Sequence, residues 1–444
     1  MLFNKFIFFA IGYFFIVTVN LFANPDSLIV KEQFYSVDSI AVSGNDITEE
    51  YIILRELTFK PGDIVSGSQL QFNKERIFSL RLFTKVELYP VTENEKSIIK
   101  IDVKESWYIY PIPFIRRQDG SMSKLSYGIN FSFKNFRGRN EHLRTIISLG
   151  YDPFFALVYL NPALDYKRNL GLGFGLYFLK MNNKSEVAKR LYGGDFRYKY
   201  YSTEIDLAKR LNQFNEILAG VGFDYIEGPD SPLKRITASG EKIDRVISLI
   251  LGYNYDSRDL KQFSQNGIFS SIYFKHKGFG LADIDYNLFG FDFREYRSIV
   301  EDLSARWRFT LRHTFGSTIP LYDYSFLGYD EYVRGYSNQN SEGNNLLLTS
   351  IEVSYPVIKE WDFSIKLPLI PRQLTSARIG IYLSAFTDAG QVFNNHQRFK
   401  FSNFNTGYGF GLTILALPYN AIRFEYAFNK IGKGEFLFGT GFSF

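Results

Sequence analysis

The chain has 444 residues, no cysteine, a formal net charge of +5 and 18% aromatic residues, with 31 Tyr and 46 Phe. The lack of cysteine excludes disulfides, thiolate metal sites and a cysteine nucleophile, and a modest charge without Lys/Arg runs gives nucleic-acid binding no support. The length implies at least two structural units, and the aromatic content fits a lipid-facing β-surface with aromatic girdles, since the mean hydropathy is slightly negative, too low for a helical membrane protein.

The first segment is the one long apolar run, Phe6 to Val19, preceded by Lys5 and followed by Asn20-Leu21-Phe22-Ala23. Residues 1–23 read as a secretory signal peptide, short for a spanning helix. The competing reading is an uncleaved anchor, and Leu21 leaves the cleavage position open. No other segment is apolar enough to span as a helix, so any membrane residence must use strands.

Residues 24–106 read as a small separate domain. Ser36 to Val42 alternates as a strand, Gly44-Asn45 makes a turn, and Asp46 or Thr48 is placed to cap the next helix. Tyr51, Ile52, Leu54 and Leu57 have helical spacing, as do Leu70, Phe72, Ile77 and Leu80 after the turn Lys60-Pro61-Gly62-Asp63. Phe83 to Leu88 and Ile98 to Val103 alternate as two further strands around a polar turn at Thr92 to Lys96. The order is β-α-α-β-β, two helices over a small mixed sheet. With Gly44-Asn45, Pro61-Gly62 and Leu82-Phe83, this segment resembles a POTRA domain, the periplasmic module of outer-membrane assembly and translocation proteins. The resemblance implies capture of extended chains by strand addition at a sheet edge.

Residues 107–444 keep a period of two. In Tyr127 to Phe133 the odd positions are Tyr, Ile, Phe and Phe; in Ala305 to His313 the even positions are Arg306, Arg308, Thr310 and Arg312. A charge on lipid costs about 2–4 kcal/mol at the bilayer midplane, so the polar face must line a lumen. The pattern predicts a 16-stranded antiparallel transmembrane β-barrel with strands starting near 107, 125, 141, 154, 169, 195, 215, 245, 266, 285, 303, 344, 377, 405, 420 and 434. Long connections fall on one side, at Met181–Gly194, Ile226–Asp244, Ser317–Gly343 and Thr387–Asn403. With the small domain in the periplasm these face outward, the usual asymmetry. Pro356–Ser376 breaks that rule: it either covers the periplasmic opening or lengthens strands. The prolines in Trp107-Tyr108-Ile109-Tyr110-Pro111-Ile112-Pro113 suit a weak first strand or else a linker. In the last strand Phe436, Phe438, Phe442 and Phe444 share one face, like the terminal signal of outer-membrane barrels.

Val333-Arg334-Gly335-Tyr336 lies between the expected eleventh and twelfth strands. An arginine folded back into a barrel must meet a carboxylate, because a buried unpaired charge costs several kcal/mol. This loop, Phe386-Thr387-Asp388-Ala389-Gly390 on the thirteenth strand and the early turn Asn135-Phe136-Arg137-Gly138-Arg139-Asn140 together resemble the BamA/TamA type of barrel (bacterial surface antigen). The resemblance implies an ion pair between Arg334 and Asp388, with Phe386 and Gly390 completing the strand motif. Parity is an independent route to the same aspartate. From Arg378 the even positions run to Asp388 on the lumen face, while Ile379, Ile381, Leu383 and Ala385 face lipid. Glu352 shares the lumen face and is a second candidate. The alternative is an exposed loop arginine beside a loop-end aspartate.

No enzymatic constellation stands out. Gly-x-Ser-x-Gly is absent, and His142, His276, His313 and His396 have no metal-ligand spacing. A lone His–Ser pair of the barrel-phospholipase kind is the one hydrolase possibility left open. The family resemblance implies an outer-membrane protein with its small domain in the periplasm, needing no cofactor. Unfolded outer-membrane or secreted polypeptides would pass from that domain to a seam between the first strand, at Trp107 and Tyr108, and the last, at Phe442 and Phe444. Its expected partners are outer-membrane lipid, such clients and accessory assembly proteins. The competing expectation is a passive channel or structural barrel, with Arg306, Arg308 and Arg312 setting anion preference.

Overall fold

The computed structural model describes residues 32–117, 124–300, 302–328, 331–337, 339–397 and 400–441. The expected signal segment, Phe442 and Phe444 lie outside these residues. No helix among them is long and apolar enough to cross a membrane.

The small domain comprises β1 (Phe34–Ser36), β2 (Ser39–Ser43), α1 (Glu50–Leu54), β3 (Ile64–Ser66), α2 (Gly67–Phe78), β4 (Phe83–Glu93) and β5 (Lys96–Glu105). The sheet order is β2-β5-β4, with β2 parallel to β5 and β4 antiparallel to it. The two short strands β1 and β3 pair with each other and were not expected; three-residue strands carry too little alternation to be read. Helix α2 starts where Ser66 Oγ accepts from Gln69 N, at 3.2 Å. Helix α1 has Glu49 as N-cap without a side-chain bond, so neither Asp46 nor Thr48 caps it. Thr48 is diverted: its hydroxyl donates to Glu105 at 2.6 Å. Ile52, Ile53, Ile77, Phe78, Phe83, Ile99 and Ile101 close the core between helices and sheet.

The remaining strands are β6 (Ile109–Arg117), β7 (Leu125–Phe136), β8 (Glu141–Gly150), β9 (Phe154–Asp165), β10 (Leu170–Asn182), β11 (Arg197–Arg210), β12 (Asn215–Glu227), β13 (Ile243–Asp256), β14 (Gly267–Lys277), β15 (Tyr286–Val300), β16 (Leu303–Gly316), β17 (Ser325–Leu327), β18 (Ser341–Gly343), β19 (Asn345–Ser364), β20 (Ser376–Phe393), β21 (Asn405–Leu417), β22 (Asn420–Asn429) and β23 (Gly434–Thr440). All but β17 and β18 form one antiparallel sheet of 16 strands in sequence order, and every expected start falls within two residues of the observed one. β17 and β18 pair with each other inside the long connection between β16 and β19, and Leu327 of β17 also bridges Glu331. A helix, α3 (Glu186–Tyr192), sits in the connection after β10.

Alternation holds along the strands. On β20, Arg378, Tyr382, Ser384, Phe386 and Asp388 are buried inside while Leu383 is exposed outside. Among the described residues no ladder joins β6 to β23, so both carry a free edge. β6 is a strand paired with β7 throughout, prolines included, which removes the linker reading.

The small domain packs across the lower mouth of the barrel. Its core continues into Leu260, Phe263, Tyr382, Leu415, Leu417 and Ala421. The early turn is one docking point: Asn135 Nδ2 donates to Thr48 Oγ1 at 2.8 Å and Glu49 N donates to the Gly138 carbonyl at 2.9 Å. Arg81 donates to the carbonyls of Pro418 and Tyr419 on the opposite rim, at 3.1 and 2.5 Å.

Candidate functional site: a lid pinned inside the barrel

The segment between β16 and β19 folds into the lumen. Its apolar residues Leu327, Val333 and Tyr336 pack on Leu346 and Leu348, two leucines on the inward face of β19. Apolar side chains at lumen positions are a sequence signal for a lid, one the strand pattern alone passed over. Gly335 takes φ +98, and a Cβ would lie 2.9 Å from the Phe428 carbonyl carbon, so the turn needs glycine for both conformation and space.

That turn presents Arg334 to three carboxylates. Its Nε and Nη2 donate to Asp388 at 2.8 and 2.7 Å, a bidentate fork, and its backbone N–H donates to the same carboxylate at 3.1 Å. Nη1 donates to Glu352 at 3.0 Å and to Glu425 at 2.9 Å. The Phe386 ring lies under the guanidinium, 3.5 Å from Cζ to centroid, so one face of the cation meets a π-system while its edge meets the acids. Arg334 is only 5% exposed. Arg306 bonds to the other side of Glu352, and Arg423 lies 3.6 Å from Glu425. Three cations thus face three anions, the condition under which buried charge is tolerated.

The expected residues therefore meet. Arg334, Asp388, Glu352 and Phe386 form one cluster, Val333 and Tyr336 belong to the apolar side of the lid, and a Cβ on Gly390 would stand 2.8 Å from Val333 Cγ2. Glu425 and Glu435 were missed as anchors. Glu435 on β23 accepts from Gly335 N at 2.8 Å, Ser337 N at 3.1 Å and the Ser337 hydroxyl at 3.0 Å, tying the lid to the last strand. Parity alone could have placed Glu425 inward, but it could not choose among inward acids. Glu331 on the lid forms a second tether, 2.6 Å from Arg308, which also holds Asp292 at 2.7 Å. The lumen arginines Arg306 and Arg308 are thus paired with acids.

Trp107 and Tyr108 were expected at the seam, and the Tyr108 carbonyl accepts from Lys134 N of β7 at 2.8 Å. Both precede β6; Trp107 Nε1 donates to Ile109 O at 2.6 Å, and the Tyr108 hydroxyl is buried against the small domain at Thr48 and Leu82. Tyr108 is buried in the core that the small domain shares with the barrel mouth. His142 Nε2 meets Ser132 Oγ at 2.7 Å, but no carboxylate orients the ring among the described residues. No group of three His, Asp or Glu there could hold a metal.

A second charged cluster joins the domains. Glu56 is bidentate with Arg210 of β11, at 2.6 and 3.1 Å, and lies 3.3 Å from Arg76. Arg76 also donates to the carbonyls of Gln213 and Asp256, at 2.6 and 3.0 Å. Burial alone would raise the Glu56 carboxyl; Arg210, Lys261 and Arg76 outweigh it and hold the group below the ordinary carboxylate range. Glu75 of α2 pairs with Arg378 of β20 at 2.7 Å.

Residues 135–444 match the family model described as the Omp85 superfamily domain, and residues 35–106 match a POTRA model described as a surface antigen variable number repeat. An outer membrane protein assembly factor BamA from Nitratidesulfovibrio vulgaris is 32% identical over 80 residues, 18% of this chain and 10% of that protein. Another, from Neorickettsia risticii, is 26% identical over 243 residues, 51% of this chain and 30% of that protein. The chain thus covers less than a third of the length of either relative. Among solved structures, BamA from Haemophilus ducreyi lacking POTRA domains 1-3 aligns with a TM-score of 0.52 at 20% identity, covering 91% of this chain and 83% of that one. CdiB from Escherichia coli aligns with a TM-score of 0.58 at 12% identity, covering 92% and 76%. At these identities the two structures speak for the fold.

Proposed function

Because this chain belongs to the Omp85 superfamily, we propose that it inserts or translocates polypeptides at the bacterial outer membrane, with its POTRA domain in the periplasm. The observation that carries this reading is that both ends of the lumen are occupied by built elements. The lid is held from above by Arg334, and the small domain packs across the mouth below. A passive pore requires neither, and its selectivity arginines would not be consumed by Glu352, Asp292 and Glu331.

The path for a client follows from the free edges. In the small domain β4 runs beside the β19–β20 hairpin, with Lys85 Nζ 3.9 Å from Asp362 of β19, whereas among the described residues β2 pairs only with β5. An extended polypeptide would add to β2, since main-chain bonding at an open edge is indifferent to sequence. It would then reach the edges of β6 and β23, which template strands while a barrel forms. Arg334 serves as an anchor in this scheme and takes part in no reaction. Relatives named as outer-membrane protein assembly factors support the client class, and accessory proteins would complete the machinery. The test is reconstitution in liposomes with an unfolded test barrel. Faster client folding is expected; ion conductance without any folding effect would favour the channel.

A further inference from the structure

The periplasmic hairpin between β19 and β20 is larger than a barrel closure needs. The ladder between β16 and β19 ends at the pair Ser304–Ser354, yet β19 continues from Tyr355 to Ser364 with no further ladder pair on that side among the described residues, where Lys359 reaches Asp302 at 2.7 Å. At about 3.3 Å per residue this adds roughly 30 Å of strand, less two bulges. The hairpin has two unlike faces. Inward, Asp362 approaches Lys85 at 3.9 Å, Glu360 accepts from the Tyr382 hydroxyl at 2.9 Å, and Arg378 binds Glu75 at 2.7 Å over the Phe78 ring. These contacts fasten the hairpin to the small domain. Outward, Trp361 pairs in register with Ile379, and Phe363 with Ala377, on the face that carries Ile381 and Leu383 along the barrel wall. Trp361, Phe363, Ile365, Leu367 and Ile370 are all exposed, and Leu369 at the tip is fully so.

We propose that this hairpin is a membrane-contact element, its outward face and tip lying in the headgroup layer of the periplasmic leaflet while its inward face carries the small domain. Continuity decides the occupant: the exposed apolar face is the same face that meets lipid higher on β20. The chemistry agrees. A tryptophan and an aliphatic tip bracketed by Lys366 and Arg372 suit an interface where indole rings and cations are favoured, and anionic headgroups attract the two cations. The β19 backbone beyond the β16 ladder fixes the depth, because backbone groups outside a ladder cost several kcal/mol each in hydrocarbon but are hydrated among headgroups. The hairpin then sets the height and tilt of the small domain beneath the mouth.

The chain has three tryptophans, which makes a fluorescence test direct. Full-length protein carrying Trp107→Phe, Trp307→Phe, Trp361→Phe and Leu369→Trp is folded into phosphatidylethanolamine–phosphatidylglycerol vesicles. Its emission is compared with and without lipids brominated near the headgroup end of the acyl chain. At least a twofold drop is expected, with no drop for Ile64→Trp in the same background, since Ile64 sits exposed on β3 of the small domain. If Leu369→Trp does not fold, Trp361 alone, in the Trp107→Phe/Trp307→Phe protein, gives the same readout. A tip quenched no more than the reference overturns the proposal and assigns the open β19 edge to an extended polypeptide. Client folding is not part of this readout, so failure of the insertase reading leaves the result intact.

Discussion

Gly407 lies directly under the carbonyl of Arg334: a Cβ built on it would stand 1.7 Å from that oxygen. The wall of β21 has therefore given up a side chain so that the lid backbone can lie flat against it. Gly407→Ala should push the lid off its seat and weaken every Arg334 contact together. A loss of about 1–3 kcal/mol is expected, the usual range for overpacking, read as faster protease cleavage within residues 317–343 of the folded barrel.

Arg334 and its three acids rank a mutant series. Arg334→Met leaves Asp388, Glu352 and Glu425 around a vanished charge and should cost about 3–5 kcal/mol, the penalty for breaking a buried pair. Asp388→Asn leaves two carboxylates on the same guanidinium and should cost clearly less. Exchanging the two charges should not restore the lid, because an aspartate at position 334 would face Glu352 and Glu425. Urea unfolding of the loop in the folded barrel, followed by protease accessibility, gives the order; equal effects of Arg334→Met and Asp388→Asn would contradict it.

Glu435 connects the lid to the strand that would have to move if the barrel opened. Glu435→Ala removes one acceptor from two backbone N–H groups and a hydroxyl. Charge-assisted bonds of this kind are worth about 1.5–3 kcal/mol. The tip of the lid should exchange its amide hydrogens faster while the amide of Arg334 stays protected. Uniform loss of protection would show that β23 and not β20 is the main anchor.

Docking of the small domain should depend on acidity through Glu56. Its carboxyl is lowered in the folded state, so its contribution is complete above the unfolded value of about 4.3 and is lost as pH falls through the lower folded value. Cross-linking between a cysteine placed on α2 and one on the rim near Gln213 should therefore hold through mild acid and fail only below the ordinary carboxylate range. Glu56→Gln should remove that acid step and loosen the joint at neutral pH, because Arg210 and Arg76 lose their shared partner.

The strand pattern was legible because a barrel wall separates lipid from lumen at every second residue. That is why the sixteen starts were placed so closely, and why parity sent Asp388 inward without a structure. The small β1–β3 pairing left no such trace, being too short to alternate. The place of the Tyr108 side chain left no trace for a related reason: its neighbours carry the strand pattern, but its hydroxyl is claimed by Thr48 and Leu82 of another domain. The terminal aromatics Phe442 and Phe444 were read from pattern alone and lie outside the described residues.

Local order along the chain thus determined the architecture, the lumen face and the need of Arg334 for an acid. Which acids share that charge was decided by tertiary structure. Glu352, Asp388, Glu425 and Glu435 come from four strands, and parity says only that each faces inward on its own strand. Only the register of neighbouring strands and the inward fold of the lid bring particular ones within 3 Å of it. The same holds for Glu56 with Arg210, 154 residues apart in sequence, which meet because the small domain is folded across the mouth.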